Sequence, residues 1–384
     1  MKPIPYGRQH ITDEDIQAVI ETLQSDFLTQ GPKVLEFEKN FAHYVNARYA
    51  VAVSNGTAAL HLSAMALNLQ PEDNVITTPL TFAASANCVR YCGGNVVFCD
   101  VDADSYLLDL KKLRQLLETK PKGYYKGVIP VDYAGYPIHG KNLRKIADEY
   151  GLWIIEDACH SPGAYFVDGQ GEKQLTGSGK FAELTCFSFH PVKHIATGEG
   201  GMITTNSKEL YERLLLLRTH GITKDPDKLH ENHGGWYYEM QELGYNYRLT
   251  DFQAALGISQ LTRANEGLIR RRNIADNYNK AFENVSGIIT PKVENDFYHA
   301  YHLYVIRVEN RFELYNYLKA NHIFAQVHYE PVHLQPYYQR LGNKAGDMPV
   351  AENFYKHCLS LPMYPTLTEE EQEYVIGQVM GFVK

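Results

Sequence analysis

The residues best suited to chemistry sit together in Phe187-Ser188-Phe189-His190-Pro191-Val192-Lys193-His194, followed closely by Thr197-Gly198-Glu199-Gly200-Gly201. The apolar run over 184–189 predicts a short buried strand. Pro191 stops it, and Lys193 falls in the loop before a glycine-rich turn and a second strand over 201–206. An ammonium held among apolar and aromatic side chains is partly stripped of water, which favours its neutral form. A neutral amine is a nucleophile toward carbonyl carbon. A lysine in a turn is ordinarily a solvated surface residue, so this reading needs support from the rest of the chain.

The elements that would position Lys193 supply it. Strand and helix patterns alternate: strand 50–53, helix 57–67, strand 75–78, helix 83–91, strand 96–101, helix 108–117, strand 127–131, helix 142–150, strand 153–156. This rhythm predicts an α/β fold with a mostly parallel sheet and helices on both faces. Ligands of such sheets gather beyond the carboxyl ends of the strands. After Val53 comes Ser54-Asn55-Gly56-Thr57, a glycine turn opening a helix, whose free N–H groups suit a phosphate. It is no dinucleotide fingerprint, because G-x-G-x-x-G is missing. After Thr78 comes Pro79-Leu80-Thr81-Phe82, whose aromatic ring could stack on a flat cofactor or simply fill the core. After Glu156 come Asp157 and His160, an acid at a strand end and a histidine one helical turn on; a buried acid needs a partner, though Asp157 could equally cap a following helix. A phosphate cradle, a stacking ring, a buried acid and a desolvated lysine are what pyridoxal 5′-phosphate requires: a Schiff-base amine, and an acid that keeps the pyridine nitrogen protonated so that the ring acts as an electron sink.

At 384 residues the chain exceeds one ordinary core, and two domains are expected, 1–255 and 256–384. A net charge of −8 argues against a nucleic-acid or anionic-membrane partner, so phosphate must be held locally by backbone amides and a few side chains. The first residues carry no cleavage signature and no run is long enough to span a bilayer, which implies a cytoplasmic protein. Six scattered cysteines, mostly in apolar stretches, read as free thiols of a reducing compartment, and no metal site is expected.

Near the N-terminus, Thr12 and Asp15 form a candidate capping box for a helix through Leu23. Beyond Asn206 a helix runs to Arg218, a Gly/Asp/His-rich stretch over 224–236 reads as an exposed loop, and Gly244-Tyr245-Asn246-Tyr247-Arg248-Leu249-Thr250-Asp251 precedes another helix. Further on, strands are expected over 301–308 and 324–329 in a smaller α/β C-terminal domain. Arg270-Arg271-Arg272 reads as a solvated helix face.

These residues resemble the DegT/DnrJ/EryC1/StrS family of sugar aminotransferases, which have the type I fold. The resemblance spans essentially the whole chain. It rests on Leu28-Thr29-Gln30-Gly31, Ser54-Asn55-Gly56-Thr57-Ala58-Ala59-Leu60, Thr78-Pro79-x-Thr81-Phe82, Glu156-Asp157-Ala158, Phe187-Ser188-Phe189-x-x-x-Lys193, Gly198-Glu199-Gly200-Gly201 and Tyr245-Asn246-x-Arg248. It implies that Lys193 carries the Schiff base and shuttles a proton, that Asp157 pairs with the pyridine nitrogen, that Phe82 stacks on the ring and that His160 lies near the ring hydroxyl. Gly56, Thr57 and Ser188 would hold the cofactor phosphate, with Asn246 reaching it from a second subunit of a homodimer. Tyr6, Asp26, Phe27, Leu28, Thr29, Gln326, Val327, His328 and Tyr329 resemble contacts to the nucleotide sugar. His160, the Phe-Ser-Phe-His-Pro-Val-Lys run and Gln326-Val327-His328-Tyr329 are most similar to members acting in pseudaminic acid synthesis, which move an amino group from L-glutamate to C4 of a UDP-linked 4-keto-6-deoxy-N-acetylhexosamine. The same chemistry on a dTDP-linked or C3-keto sugar, or a non-catalytic sugar-sensing regulator, remains open at this point. A dehydratase on the same scaffold would lack the lysine.

Overall fold

The structure, a computed structural model, describes residues 2–383. It begins with Ile4–Pro5 (β1), Asp13–Leu23 (α1) and Pro32–Val45 (α2). The expected alternation follows: Tyr49–Val53 (β2), Gly56–Ala66 (α3), Asn74–Thr77 (β3), Ala84–Tyr91 (α4), Asn95–Phe98 (β4), Leu110–Glu118 (α5), Tyr125–Ile129 (β5), Gly140–Tyr150 (α6) and Trp153–Asp157 (β6). A hairpin of Tyr165–Val167 (β7) and Lys173–Leu175 (β8) precedes Leu184–Ser188 (β9), Gly201–Thr205 (β10) and Lys208–Arg218 (α7).

Seven strands form one sheet in the order β2-β10-β9-β6-β5-β3-β4, parallel throughout except for β10, which runs antiparallel to both neighbours. Val51, Val53, Ile76, Ile129, Ile155 and Ile203 are fully buried, as strands covered on both faces require. Helix α3 has nine of its eleven residues buried, so it has no polar face and lies between the sheet, α4 and α7. That packing pins its N-terminus beside the end of β2.

The Phe-Ser-Phe run shows why Ser188 is available. Side chains alternate along a strand, so Phe187 and Phe189 share one face. They pack there against Phe41 of α2, with ring centroids 4.9 and 5.4 Å away. Ser188 is thereby turned to the opposite side, toward the strand ends where ligands bind.

After α7 a short hairpin, Ile222–Thr223 (β11) and Glu239–Met240 (β12), brackets the exposed segment 224–236. Asp251–Thr262 (α8) is capped by Thr250 and Gln253 and packs on α1 and α2; residue 255 falls inside it. Then come Ala264–Phe282 (α9), Phe297–Tyr298 (β13), Tyr304–Arg307 (β14), Arg311–Ala320 (α10), Ile323–Phe324 (β15), Pro336–Gln339 (α11), Pro349–His357 (α12), Cys358–Leu361 (β16) and Glu369–Val383 (α13). A second core gathers Tyr278, Tyr304, Ile306, Leu314, Leu359, Val375 and Val379. Ile4 belongs to it because β1 pairs in parallel with β15.

Three expectations are corrected. Residues 324–329 are not a strand: pairing stops at Phe324, Gln326 makes a single bridge to Ser360, and the chain then turns into the cavity. No helix follows Asp157; residues 158–164 form turns, so the acid caps nothing and His160 is not placed by helical spacing. The arginine triplet is not a solvated face. Arg271 is 1% exposed and donates from Nη1 to the carbonyls of Tyr301, His302 and Met363, at 3.1, 3.4 and 2.8 Å. Irregular backbone there has no ladder partner, and a long cationic fork satisfies several carbonyls at once.

Candidate active site

A cavity of about 900 Å³ opens at the carboxyl ends of β2, β6 and β9, and loops from both cores line it. Its floor begins at α3. Asn55 caps this helix, accepting from Ala58 N–H at 2.8 Å, and leaves the amides of Gly56 and Thr57 without an acceptor among the described residues. Gly56 lies so close to Ser188 that a Cβ there would sit 2.9 Å from the Ser188 Cβ. The result is a tight, backbone-lined anion site at the positive end of a helix.

Asp157 ends β6 in the cavity wall and is 5% exposed. One oxygen accepts from Ser85 Oγ at 2.5 Å and the other from Cys159 N–H at 3.2 Å. Ser85 is in turn 2.7 Å from Thr81 Oγ1, so the Thr81–Phe82 turn and α4 hold the carboxylate's orientation. No basic side chain pairs with Asp157 among the described residues. Phe82, 63% exposed, stands at the cavity mouth with its ring 6.4 Å from that of Tyr329.

Lys193 enters the same cavity, and burial pulls its amine down to about 8 from the ordinary 10.5; Cys159 and Asp157 oppose the shift and Arg271 adds to it. The amine lies 3.2 Å from His302 Nε2. His160 accepts the Ala134 N–H on Nδ1 at 3.2 Å, which leaves its Nε2–H for the Tyr329 hydroxyl, also 3.2 Å away. Burial first, then the Lys193 charge, holds both His160 and His302 well below the usual histidine range, so both rings are neutral.

The other expected residues divide into two groups. Tyr6, Gln326, Val327, His328 and Tyr329 line the cavity with Gly56, Thr57, Phe82, Asp157, His160, Ser188 and Lys193. Tyr6 gets there because β1 is anchored in the second core, and its carbonyl accepts from Met363 N–H at 2.9 Å. His328 is fixed by Ser360 Oγ at 2.9 Å from Nδ1. Asn246 and the stretch Asp26, Phe27, Leu28 and Thr29 do not line the cavity; they are exposed on the outside of this chain. They are neighbours, since Thr29 bridges Thr250 and Asp251 takes the Gly31 and Lys33 amides.

Sequence reading missed Asn55, Ser85 and His302. Asn55 had the signature of a helix cap, and Ser85 lies four residues beyond Thr81 in the first turn of α4. Nothing local pointed to His302, which is 109 residues from Lys193.

Pyridoxal 5′-phosphate fits this set. The helix N-terminus takes a phosphate, and a buried carboxylate without a cation calls for a protonated ring nitrogen. A depressed lysine amine takes an aldehyde. Fold and site together define a pyridoxal-phosphate-dependent aminotransferase of the type I fold.

Comparison with known proteins agrees. The family model of the DegT/DnrJ/EryC1/StrS aminotransferase family matches residues 9–380. The spore coat polysaccharide biosynthesis protein SpsC of Bacillus subtilis is 40% identical over 99% of this chain and 97% of its own length. A Campylobacter jejuni UDP-4-amino-4,6-dideoxy-N-acetyl-beta-L-altrosamine transaminase is 37% identical over 97% of this chain and 95% of its own. The PLP form of the putative sugar aminotransferase Spr1654 from Streptococcus pneumoniae superposes with a TM-score of 0.88 at 30% identity, covering 100% of both chains. The chain belongs to the DegT/DnrJ/EryC1/StrS aminotransferase family.

Proposed function

We propose that the protein moves an amino group from L-glutamate to C4 of a UDP-linked 4-keto-6-deoxy-N-acetylhexosamine, giving the 4-amino sugar of the pseudaminic acid pathway. The observation that carries the reading is one cavity of about 900 Å³ joining Lys193, Asp157 and the α3 N-terminus to Tyr6 and residues 326–329. Its volume suits a nucleotide sugar beside a cofactor. The 37% identity to the Campylobacter transaminase supports the choice of sugar.

When bound, pyridoxal 5′-phosphate supplies an aldehyde that carries the amino group and a ring that takes up electrons. The chain's own residues do the rest. Gly56, Thr57 and Ser188 would hold its phosphate, and Asp157 would keep the proton on its ring nitrogen. Lys193 Nζ takes and returns the proton at the reacting carbon. Tyr329, receiving the His160 Nε2–H, keeps its own hydroxyl proton for a ligand oxygen. L-glutamate and the keto sugar would use this cavity in turn, the first giving up the amino group and the second receiving it.

We also place Asn246, Asp26, Phe27, Leu28 and Thr29 in the site of a second copy of the chain. Ile16, Ile20, Leu23, Phe27, Leu28 and Leu35 are each 40–62% exposed, large apolar side chains on α1, α2 and their link that a partner would cover. Free thiols at all six cysteines support a reducing, cytoplasmic setting, and no helix among the described residues is long and apolar enough to cross a membrane.

The test is an absorption titration of the holoprotein. The cofactor's visible band should fall with L-glutamate and return with the UDP-keto sugar. A band that falls but does not return would refute the sugar assignment, and one that ignores glutamate would refute the donor.

A further inference from the structure

Lys193 Nζ has one side-chain neighbour within hydrogen-bond reach among the described residues, His302 Nε2 at 3.2 Å. His302 is 4% exposed, and its Nδ1 is buried with no partner among the described residues. The surrounding imidazoles settle where protons sit. His160 Nδ1 accepts the Ala134 N–H, and His299 Nδ1 accepts the Tyr301 N–H at 2.8 Å. His194 Nε2 faces the Ala300 carbonyl at 2.9 Å, so it donates. Each of these rings, when neutral, carries its proton on Nε2. A proton on His302 Nδ1 would be a buried N–H with no acceptor, the costliest kind of orphan, whereas a bare lone pair there is tolerated. The His302 proton therefore belongs on Nε2, where it faces the lysine amine and can meet only a lone pair.

We propose that His302 is a positioning residue for Lys193: its Nε2–H holds Nζ as a neutral amine, aimed into the cavity, whenever that amine is not covalently engaged. The inference rests on Lys193 being the cofactor-bearing amine. It gives the proton shuttle a direction. An Nζ that has taken a proton offers only N–H groups to a nitrogen that already bears one, so the contact is lost until the proton is handed on. Arg271 of α9 serves the arrangement twice, clamping the Tyr301 and His302 carbonyls and adding positive charge near the amine. The other groups facing Nζ are Asp157 and Cys159, which favour its protonation, and the neutral rings of His160, His194 and His328.

The experiment reads the amine itself. The full-length protein, freed of cofactor and checked for fold by circular dichroism, is labelled briefly with acetic anhydride across a pH series. Labelling at Lys193 is quantified by mass spectrometry against exposed Lys208. His302→Leu should raise the Lys193 midpoint by about one unit, a roughly tenfold loss of neutral amine at pH about 7. His302→Gln, which offers an N–H at similar reach, should stay near the wild-type midpoint. A Leu variant with an unchanged midpoint overturns the proposal. So does a lowered midpoint, which would mean that Nε2 accepts from an ammonium, and so does an equal rise in both variants, which would assign the effect to packing. If the Leu variant does not fold, His302→Met carries the same comparison. Because no cofactor is present, these outcomes are independent of whether the holoprotein responds to glutamate, which tests the underlying reading separately.

Discussion

Replacing Arg271 by Met tests whether a buried cation with no carboxylate partner among the described residues holds this molecule together. The guanidinium is 1% exposed, and burial pulls it down to about 10, so it stays charged at neutral pH. Its Nη1 donates to three backbone carbonyls, the closest that of Met363 at 2.8 Å, while Nε has no partner among the described residues. Hydrogen bonds from a charged donor contribute about 1.5–3 kcal/mol each, and two of the three contacts are short enough to count fully. Against roughly 3–6 kcal/mol stands the relief of no longer desolvating a charge, several kcal/mol in the opposite direction. Methionine fills the stem but leaves carbonyls unpaired, at about 1–3 kcal/mol each. The balance favours the wild type by about 3 kcal/mol, or roughly 4 °C for a chain of this length. Urea and thermal unfolding of Arg271→Met should show that loss, unchanged from about pH 6 to about pH 8 because the charge does not titrate there. Arg270→Met, which removes a single bond to the Leu367 carbonyl, should lose about 1 kcal/mol. An Arg271→Met protein as stable as wild type would show that desolvation outweighs the carbonyl bonds and that the clamp is not a stabilising device.

Three further outcomes follow from the site. Gly56→Ala drives a Cβ to within 2.9 Å of the Ser188 Cβ, an overpacking of about 1–3 kcal/mol, and should weaken cofactor retention about tenfold to a hundredfold by equilibrium dialysis. Gly235→Ala, with nothing within 4 Å, should leave retention unchanged. Capture of added pyridoxal 5′-phosphate by the cofactor-free protein should rise with pH and level off above about 8, because the proposed acceptor, Lys193, reacts only as the neutral amine; a rate still climbing toward 10.5 would remove the depressed amine. The sign for stability runs the same way, since a lysine lowered on folding binds fewer protons folded than unfolded between these values, and the cofactor-free protein gains stability as pH rises through that window. Finally, Asn246→Ala should lose cofactor affinity, and mixing it with Lys193→Ala should restore activity in mixed dimers that carry one intact site; no recovery would remove Asn246 from a shared site.

The residue pattern alone determined the parts of this protein built from neighbours in sequence. An apolar run, a stop and a lysine placed Lys193 in the loop after β9; a strand, a glycine turn and a helix placed Gly56 at the N-terminus of α3; an acid after an apolar run placed Asp157 at the end of β6. Each needs only local backbone geometry and burial, which periodicity reports. The resemblance to a family then added roles that no spacing could carry. Tertiary structure alone decided what depends on contacts between distant segments. Tyr6 reaches the cavity because two residues of β1 pair with β15, the stretch 326–329 leaves its strand to line the wall, and His302 meets Lys193 across 109 residues. Arg271 misled the sequence reading for the same reason. Three arginines in a row look solvated until the fold brings unpaired carbonyls from residues 301, 302 and 363 around the middle one, and hydrogen-bond satisfaction, which no local pattern encodes, sets its place.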